Sequence, residues 1–164
     1  MTLRLYNKIN YKIKDKTMDE VIKDKATTKH ILIVDDDPTS RRLFGSLLGS
    51  AGYEVIYAEN GDLGREMARR FHPDLILLDI NMPGSNGFKT ADLIRNEPGS
   101  PAADIPIAFL TNSDLSIEAE NWMKDVGVTN YIQKGVSNEE FVAEVKKFLE
   151  EAKNKPAKEE KPAG

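Results

Sequence analysis

Pro73-Asp-Leu-Ile-Leu-Leu-Asp-Ile-Asn-Met-Pro-Gly-Ser-Asn-Gly87 is the stretch on which the fold turns. After Asp74 come four apolar residues, Leu75 to Leu78, with no polar residue between them. A strand with one wet face alternates polar and apolar residues, so an unbroken run predicts a strand covered on both faces. Asp79 closes the run, and a Gly/Asn-rich turn at 84–87 leads into a helical stretch through Arg95. Strand, turn and helix in that order make one β/α unit.

The same unit recurs on either side. His30-Ile-Leu-Ile-Val34 is a strand followed by three aspartates. Residues 38–50 then place apolar side chains at 43, 44, 47 and 48, the spacing of a helix, and Gly52 stops it. Asp37-Pro38 reads as an N-cap with proline at the first helical position. Residues 54–58 are a second strand and 62–71 a second helix. Residues 98–104 are loop, 105–110 a fourth strand, and 116–126 a fourth helix ended by Gly127. Residues 130–133 are the fifth strand. Ser137-Asn-Glu-Glu140 is a capping box opening a last helix with apolar positions 141, 142, 145, 148 and 149. Five such units predict an α/β domain: a doubly wound, five-stranded parallel sheet with helices on both faces.

The predicted domain covers 29–151, preceded by an extension over 1–28 and followed by a tail over 152–164 that lacks anything to bury. Ten of the first seventeen residues are Asn, Lys, Ile or Tyr, unlike the rest, which predicts a dispensable segment. A rival reading is an added edge strand, because apolar residues at 3, 5, 9, 11 and 13 follow a period of two. With no output domain expected after it, the single domain must carry the function.

Of 164 residues, 40% are apolar and 30% charged, and none is cysteine, which excludes disulfides and thiolate metal sites. The apolar runs are strand-sized, well short of the roughly 20 residues of a membrane helix. With no signal-peptide pattern at the N-terminus, a cytoplasmic location is expected. Residues 1–29 carry a net +4 and residues 30–150 a net −9. An acidic domain lacks the basic face that sequence-independent nucleic-acid binding needs, but suits a divalent cation or a basic partner.

In a doubly wound sheet, ligands sit outside the carboxyl ends of the strands. The polar residues at those ends are Asp35, Asp36 and Asp37, then Asp79, Thr111 and Lys134. Two unit charges at 4 Å repel by roughly 4 kcal/mol at an effective dielectric of about 20. Gathered at one edge, Asp35, Asp36 and Asp79 therefore require a cation or a raised pKa. Carboxylates with retained waters describe Mg²⁺ sites in proteins that handle phosphoryl groups, and a carboxylate can itself accept a phosphoryl group. That transfer needs positioning and charge neutralisation, which a metal, a hydroxyl and an ammonium supply.

Four blocks, His30 to Pro38, Pro73 to Gly87, Pro106 to Thr111 and Tyr131 to Lys134, together resemble the bacterial response-regulator receiver family of two-component systems. The resemblance spans about 29–151 and implies the flavodoxin-like strand order 2-1-3-4-5. It implies a stand-alone, chemotaxis-regulator-like signalling switch that accepts a phosphoryl group on Asp79 from a histidine kinase or phosphotransfer protein. It implies Mg²⁺ held by Asp36, Asp79 and the Asn81 backbone carbonyl, with Asp35 acting through water. Thr111 resembles the switch hydroxyl, Lys134 the phosphoryl-pairing ammonium, and Tyr131 the aromatic that swings inward on activation. The downstream reader would meet the fourth helix, fifth strand and fifth helix, with no nucleic acid or membrane involved. Such a protein catalyses its own phosphotransfer and dephosphorylation and is not a conventional enzyme.

The chain departs from the family at Gly135, where proline is usual, at Asn112, where a small residue is common, and at Asn86, where an acid is usual. A cis bond before glycine costs about 2.5–4 kcal/mol, against roughly 0.5–1 before proline, so Lys134–Gly135 is expected to be trans. Two other functions fit parts of the pattern. Asp35-Asp36-Asp37-Pro38-Thr39 matches the Asp-x-Asp-x-Thr motif of haloacid-dehalogenase-type Mg²⁺ phosphatases, with Asp35 as nucleophile, although no second acidic pair follows Lys134. A pseudo-receiver would bind partners without phosphorylation. Asp37 reads as a cap alone, Trp122 as packing on the fourth helix, and His30 and His72 have no second ligand at metal spacing.

Overall fold

The computed structural model describes residues 28–154. Its five-stranded parallel sheet is built from β1 (His30–Val34), β2 (Glu54–Ala58), β3 (Leu75–Asp79), β4 (Ile107–Thr111) and β5 (Asn130–Gln133). Their order is 2-1-3-4-5, as the resemblance implied. The helices are α1 (Pro38–Ser50), α2 (Gly61–Phe71), α3 (Gly87–Asn96), α4 (Ile117–Asp125) and α5 (Asn138–Asn154). A two-rung hairpin, Asn81–Met82 against Ser85–Asn86, fills the turn between β3 and α3.

The unbroken apolar runs do what their pattern requires. β1, β3 and β4 alternate their side chains between two cores. Leu32, Val34, Ile76, Leu78, Ile107 and Phe109 face α2, α3 and α4, where Ala68, Ala91, Ile94 and Met123 meet them. Ile33, Leu75, Leu77, Leu110 and Ile132 face α1 and α5, where Phe44 stacks on Phe141 at 4.4 Å. Each such large side chain contributes roughly 1.5–3 kcal/mol on full burial, so the sheet is a rigid base for whatever its edge carries.

Several boundaries differ from expectation. β4 starts at Ile107, not 105, because Ser100 caps a 3₁₀ turn at Pro101–Asp104 and Arg95 donates to the carbonyls of Ala103 and Ile105. α2 starts at Gly61, where Asn60 accepts from the Leu63 amide. It ends at His72 in the left-handed conformation (φ 47°), a cap that sequence reading assigns to glycine. α5 continues through Asn154, so residues 152–154 are helix rather than disordered tail. Glu151, Ala152 and Lys153 are good helix formers, and nothing in that stretch opposes the helix. At its start, Ser137 Oγ accepts from the Glu140 amide, the first half of the predicted box.

The Lys134–Gly135 bond is trans; there is no cis bond among the described residues. No helix of the described residues is long and apolar enough to cross a membrane. The extra strand considered for residues 3–13 lies outside the described residues, as does the expected tail from 155 onward.

Candidate functional site

The carboxyl ends of β1, β3, β4 and β5 converge on one edge. β1 and β3 are adjacent in register, which puts Asp35 and Asp79 side by side one step beyond Val34 and Leu78. Carboxylate oxygens of Asp35, Asp36 and Asp79 lie within 4.8 Å of one another. Asp35 is fully buried and Asp79 nearly so, while Asp36 is exposed. Lys134 follows β5, and its backbone amide donates to the Thr111 carbonyl at 2.8 Å, continuing the ladder. Its Nζ lies 2.7 Å from Asp35 Oδ2 and 3.1 Å from Asp79 Oδ2.

Each carboxylate is held by its neighbours. Asp35 Oδ1 accepts from the Asp37 amide at 2.8 Å, and the Arg41 guanidinium donates to the Asp35 carbonyl. Asp79 Oδ1 accepts from the Asn81 amide at 3.2 Å. Asp37 turns away from the cluster and caps α1, accepting from the amides of Thr39 and Ser40, as its sequence context predicts. Those bonds hold its carboxyl below the usual range.

Burial pushes the Asp79 carboxyl up, and the Lys134 ammonium only partly offsets it. Burial acts to lower the pKa of Lys134, but Asp35 and Asp79 outweigh it and raise the ammonium above its usual value. Asp35 and Asp79 therefore share one ammonium, with the exposed Asp36 beside them. Asp35 Oδ2 is buried with no directed hydrogen bond, its ion pair with Lys134 aside. An all-oxygen donor set of three carboxylates gathered within 4.8 Å fits a hard divalent cation.

The remaining predicted residues are placed differently. Thr111 is buried at the end of β4, but its hydroxyl donates to the Ser113 carbonyl at 2.8 Å, away from the acidic cluster. The Ser113 amide donates back to that hydroxyl at 3.3 Å. Tyr131 points outward, 43% exposed. Asn81 is exposed at the start of the hairpin. Trp122 is 55% exposed and stacks against Phe88 at 6.3 Å, rather than sitting in the core.

Two features escape sequence reading. A Cβ on Gly87 would lie 2.2 Å from the Asp79 carbonyl oxygen, so this glycine lets α3 start directly against the backbone of Asp79. Only its place after the Asn86 cap hints at that. Gln133 Nε2 donates to Asp114 Oδ1, joining β5 to the loop after β4. No local pattern signals a bond between residues 19 apart.

The chain matches the model of the response regulator receiver domain over residues 31–146. It is 35% identical over 119 residues to Protein PilH of Pseudomonas aeruginosa, covering 73% of this chain and 96% of that one. It is 30% identical over 125 residues to the polar-differentiation response regulator DivK of Brucella ovis, covering 76% and 99%. Among solved structures it is similar to a CheY-like receiver domain protein from Methanospirillum hungatei, with a TM-score of 0.70, 25% identity, and coverage of 77% and 98%. It is also similar to the chemotaxis protein CheY4 of Vibrio cholerae, with a TM-score of 0.69, 28% identity, and coverage of 74% and 99%.

Proposed function

The chain belongs to the response regulator receiver domain family, and from that premise we propose that Asp79 is the phosphoacceptor of this phosphorylation-activated signalling switch. The observation that carries the assignment is the Lys134 ammonium 3.1 Å from Asp79 Oδ2, with Asp35 and Asp36 gathered beside it. A carboxylate that must bond to an anionic phosphorus needs nearby positive charge, and Lys134 is the cation that β5 delivers to it.

Transfer forms a bond from an Asp79 carboxylate oxygen to phosphorus and breaks the phosphorus–nitrogen bond of a phosphohistidine donor. The departing electron pair stays on the imidazole, which then takes a proton. Mg²⁺, when bound, neutralises phosphoryl oxygens. Asp36, Asp79 and the Asn81 carbonyl would hold it, with Asp35 acting through water. Lys134 pairs with a further phosphoryl oxygen. Thr111 donates to another, and must first give up the Ser113 carbonyl, because a hydroxyl has one proton to donate.

The product stays on the chain as an acyl phosphate, so this is a self-catalysing switch rather than a turnover enzyme. The donor is a histidine kinase or phosphotransfer protein of the cytoplasm. The output is a changed surface on α4, β5 and α5, where Tyr131 turns inward from its exposed position.

Incubation with Mg²⁺ and acetyl phosphate, followed by peptide mass spectrometry, tests the assignment. An acyl phosphate at Asp79 that is lost in Asp79→Asn is expected. Label retained by Asp79→Asn would end the proposal. Label on Asp35 would instead favour a phosphatase.

A further inference from the structure

The loop between β4 and α4 carries two linked bonds. Inside it, Thr111 Oγ1 donates to the Ser113 carbonyl. Across it, Gln133 Nε2 donates to Asp114 Oδ1 at 2.5 Å. Gln133 stands opposite Thr111 in the β4–β5 register and directly precedes Lys134. Along β5, Ile132 is buried against α1 and α5, so by strand alternation Gln133 projects to the other face, on the side of α4. Its amide therefore crosses the end of β4 and ties down the loop that occupies the Thr111 hydroxyl.

We propose that Gln133 is a positioning residue for the switch. Its bond to Asp114 holds the 112–115 loop in the arrangement that keeps the Thr111 hydroxyl on Ser113 and off the phosphoryl group. The proposal rests on the receiver reading above. The Thr111 proton cannot serve Ser113 and a phosphoryl oxygen at once. Reaching the phosphoryl group requires the loop to rearrange, and a contact made only in the resting arrangement opposes that shift by its own free energy. Losing the contact favours the phosphoryl-bound arrangement. One net hydrogen bond at an exposed position corresponds to about a two- to fivefold change in an equilibrium constant.

The exposed Asp114 and the half-buried Gln133 make the bond, so it can be removed and rebuilt without substituting the acidic cluster or Lys134. Gln133→Glu places a carboxylate against Asp114 and breaks it. Adding Asp114→Asn restores a donor–acceptor pair with the roles exchanged. Calorimetric titration with beryllofluoride, a phosphoryl mimic, in saturating Mg²⁺ reads the switch. Amide exchange of Ser113 in chelator reads the loop without metal.

Gln133→Glu should bind beryllofluoride about two- to fivefold more tightly than the parent and exchange the Ser113 amide faster. The Gln133→Glu/Asp114→Asn pair should return both toward the parent, with Mg²⁺ affinity unchanged throughout. Unchanged or weaker beryllofluoride binding in Gln133→Glu would overturn the proposal, as would failure of the paired variant to restore it. A parent protein that binds no beryllofluoride would instead sink the receiver reading beneath it.

Discussion

The two ends of the sheet carry similar charges arranged on opposite principles. At the amino end, acids and bases pair one to one. Lys29 Nζ meets Asp74 Oδ1 at 2.6 Å, the His30 amide donates to Asp74 Oδ2, and His30 Nε2 lies 2.9 Å from Glu54. These groups are partly exposed, so each pair is worth little and strains nothing. At the carboxyl end, three carboxylates gather around a single ammonium that pairs only with the two buried ones, Asp35 and Asp79. The amino end pairs each acid with its own partner, and the carboxyl end is left short of positive charge. That deficit is where a cation and a phosphoryl group become favourable, and it is maintained by the stability of the two cores beneath it.

The largest expected effect comes from Lys134→Ala, which leaves two buried carboxylates without their ammonium. Breaking a buried pair costs about 3–5 kcal/mol. Chemical denaturation in chelator should show a loss of that size, accompanied by a severe loss of phosphorylation by acetyl phosphate. A loss below about 1 kcal/mol would mean the cluster is better solvated than its burial suggests.

Gly87→Ala sharpens the same contrast through the backbone. A methyl 2.2 Å from the Asp79 carbonyl must displace either α3 or Asp79. A cost of about 1–3 kcal/mol is expected, as for other overpacked sites. Unaltered stability and unaltered phosphorylation together would show that the hairpin yields freely.

Asp79→Asn should act in the opposite direction. Burial raises the folded-state pKa of Asp79 above its ordinary 3.8. Its contribution to stability is therefore full below the unfolded value and lost as pH rises through the folded one. At pH 7 in chelator, Asn removes that penalty while Lys134 keeps Asp35. The melting temperature should rise by a few degrees, about 2–4 °C for each kcal/mol recovered. The advantage should vanish below about pH 3.8. An advantage that grew on acidification would reverse the assigned sign.

Smallest is Lys29→Ala at the amino end. A partly exposed pair contributes about 0–1 kcal/mol. The variant should melt within a few degrees of the parent and accept phosphate at the parental rate. A substantial loss of phosphorylation would break the division between the two ends.

Most of this division is legible in the chain, for identifiable reasons. Leu75 to Leu78 and Ile31 to Val34 are too apolar to have a wet face, and their companions at 107–110 complete the sheet. Strand ends are legible because Asp35, Asp79 and Thr111 each follow an apolar run. What could not be read depends on contacts between distant segments. Nothing near Gly87 indicates that it abuts the Asp79 carbonyl. β4 starts later than its apolar run suggests because Arg95, ten residues before Ile105, holds that carbonyl. The outward stance of Trp122 follows from how α4 sits over Phe88, which periodicity alone does not fix.

That stance has an optical consequence. Trp122 is the only tryptophan in the chain, so near-ultraviolet emission selectively excited at its red edge reports on one indole. The indole stacks on Phe88, whose neighbour Gly87 abuts the Asp79 carbonyl. A shift of the backbone at Asp79 would therefore reach the indole through two packed residues. Because the ring is already half in water, changes in its quenching and emission maximum should register the motion. The native protein thus carries its own label for following events at the acidic edge, with no dye attached.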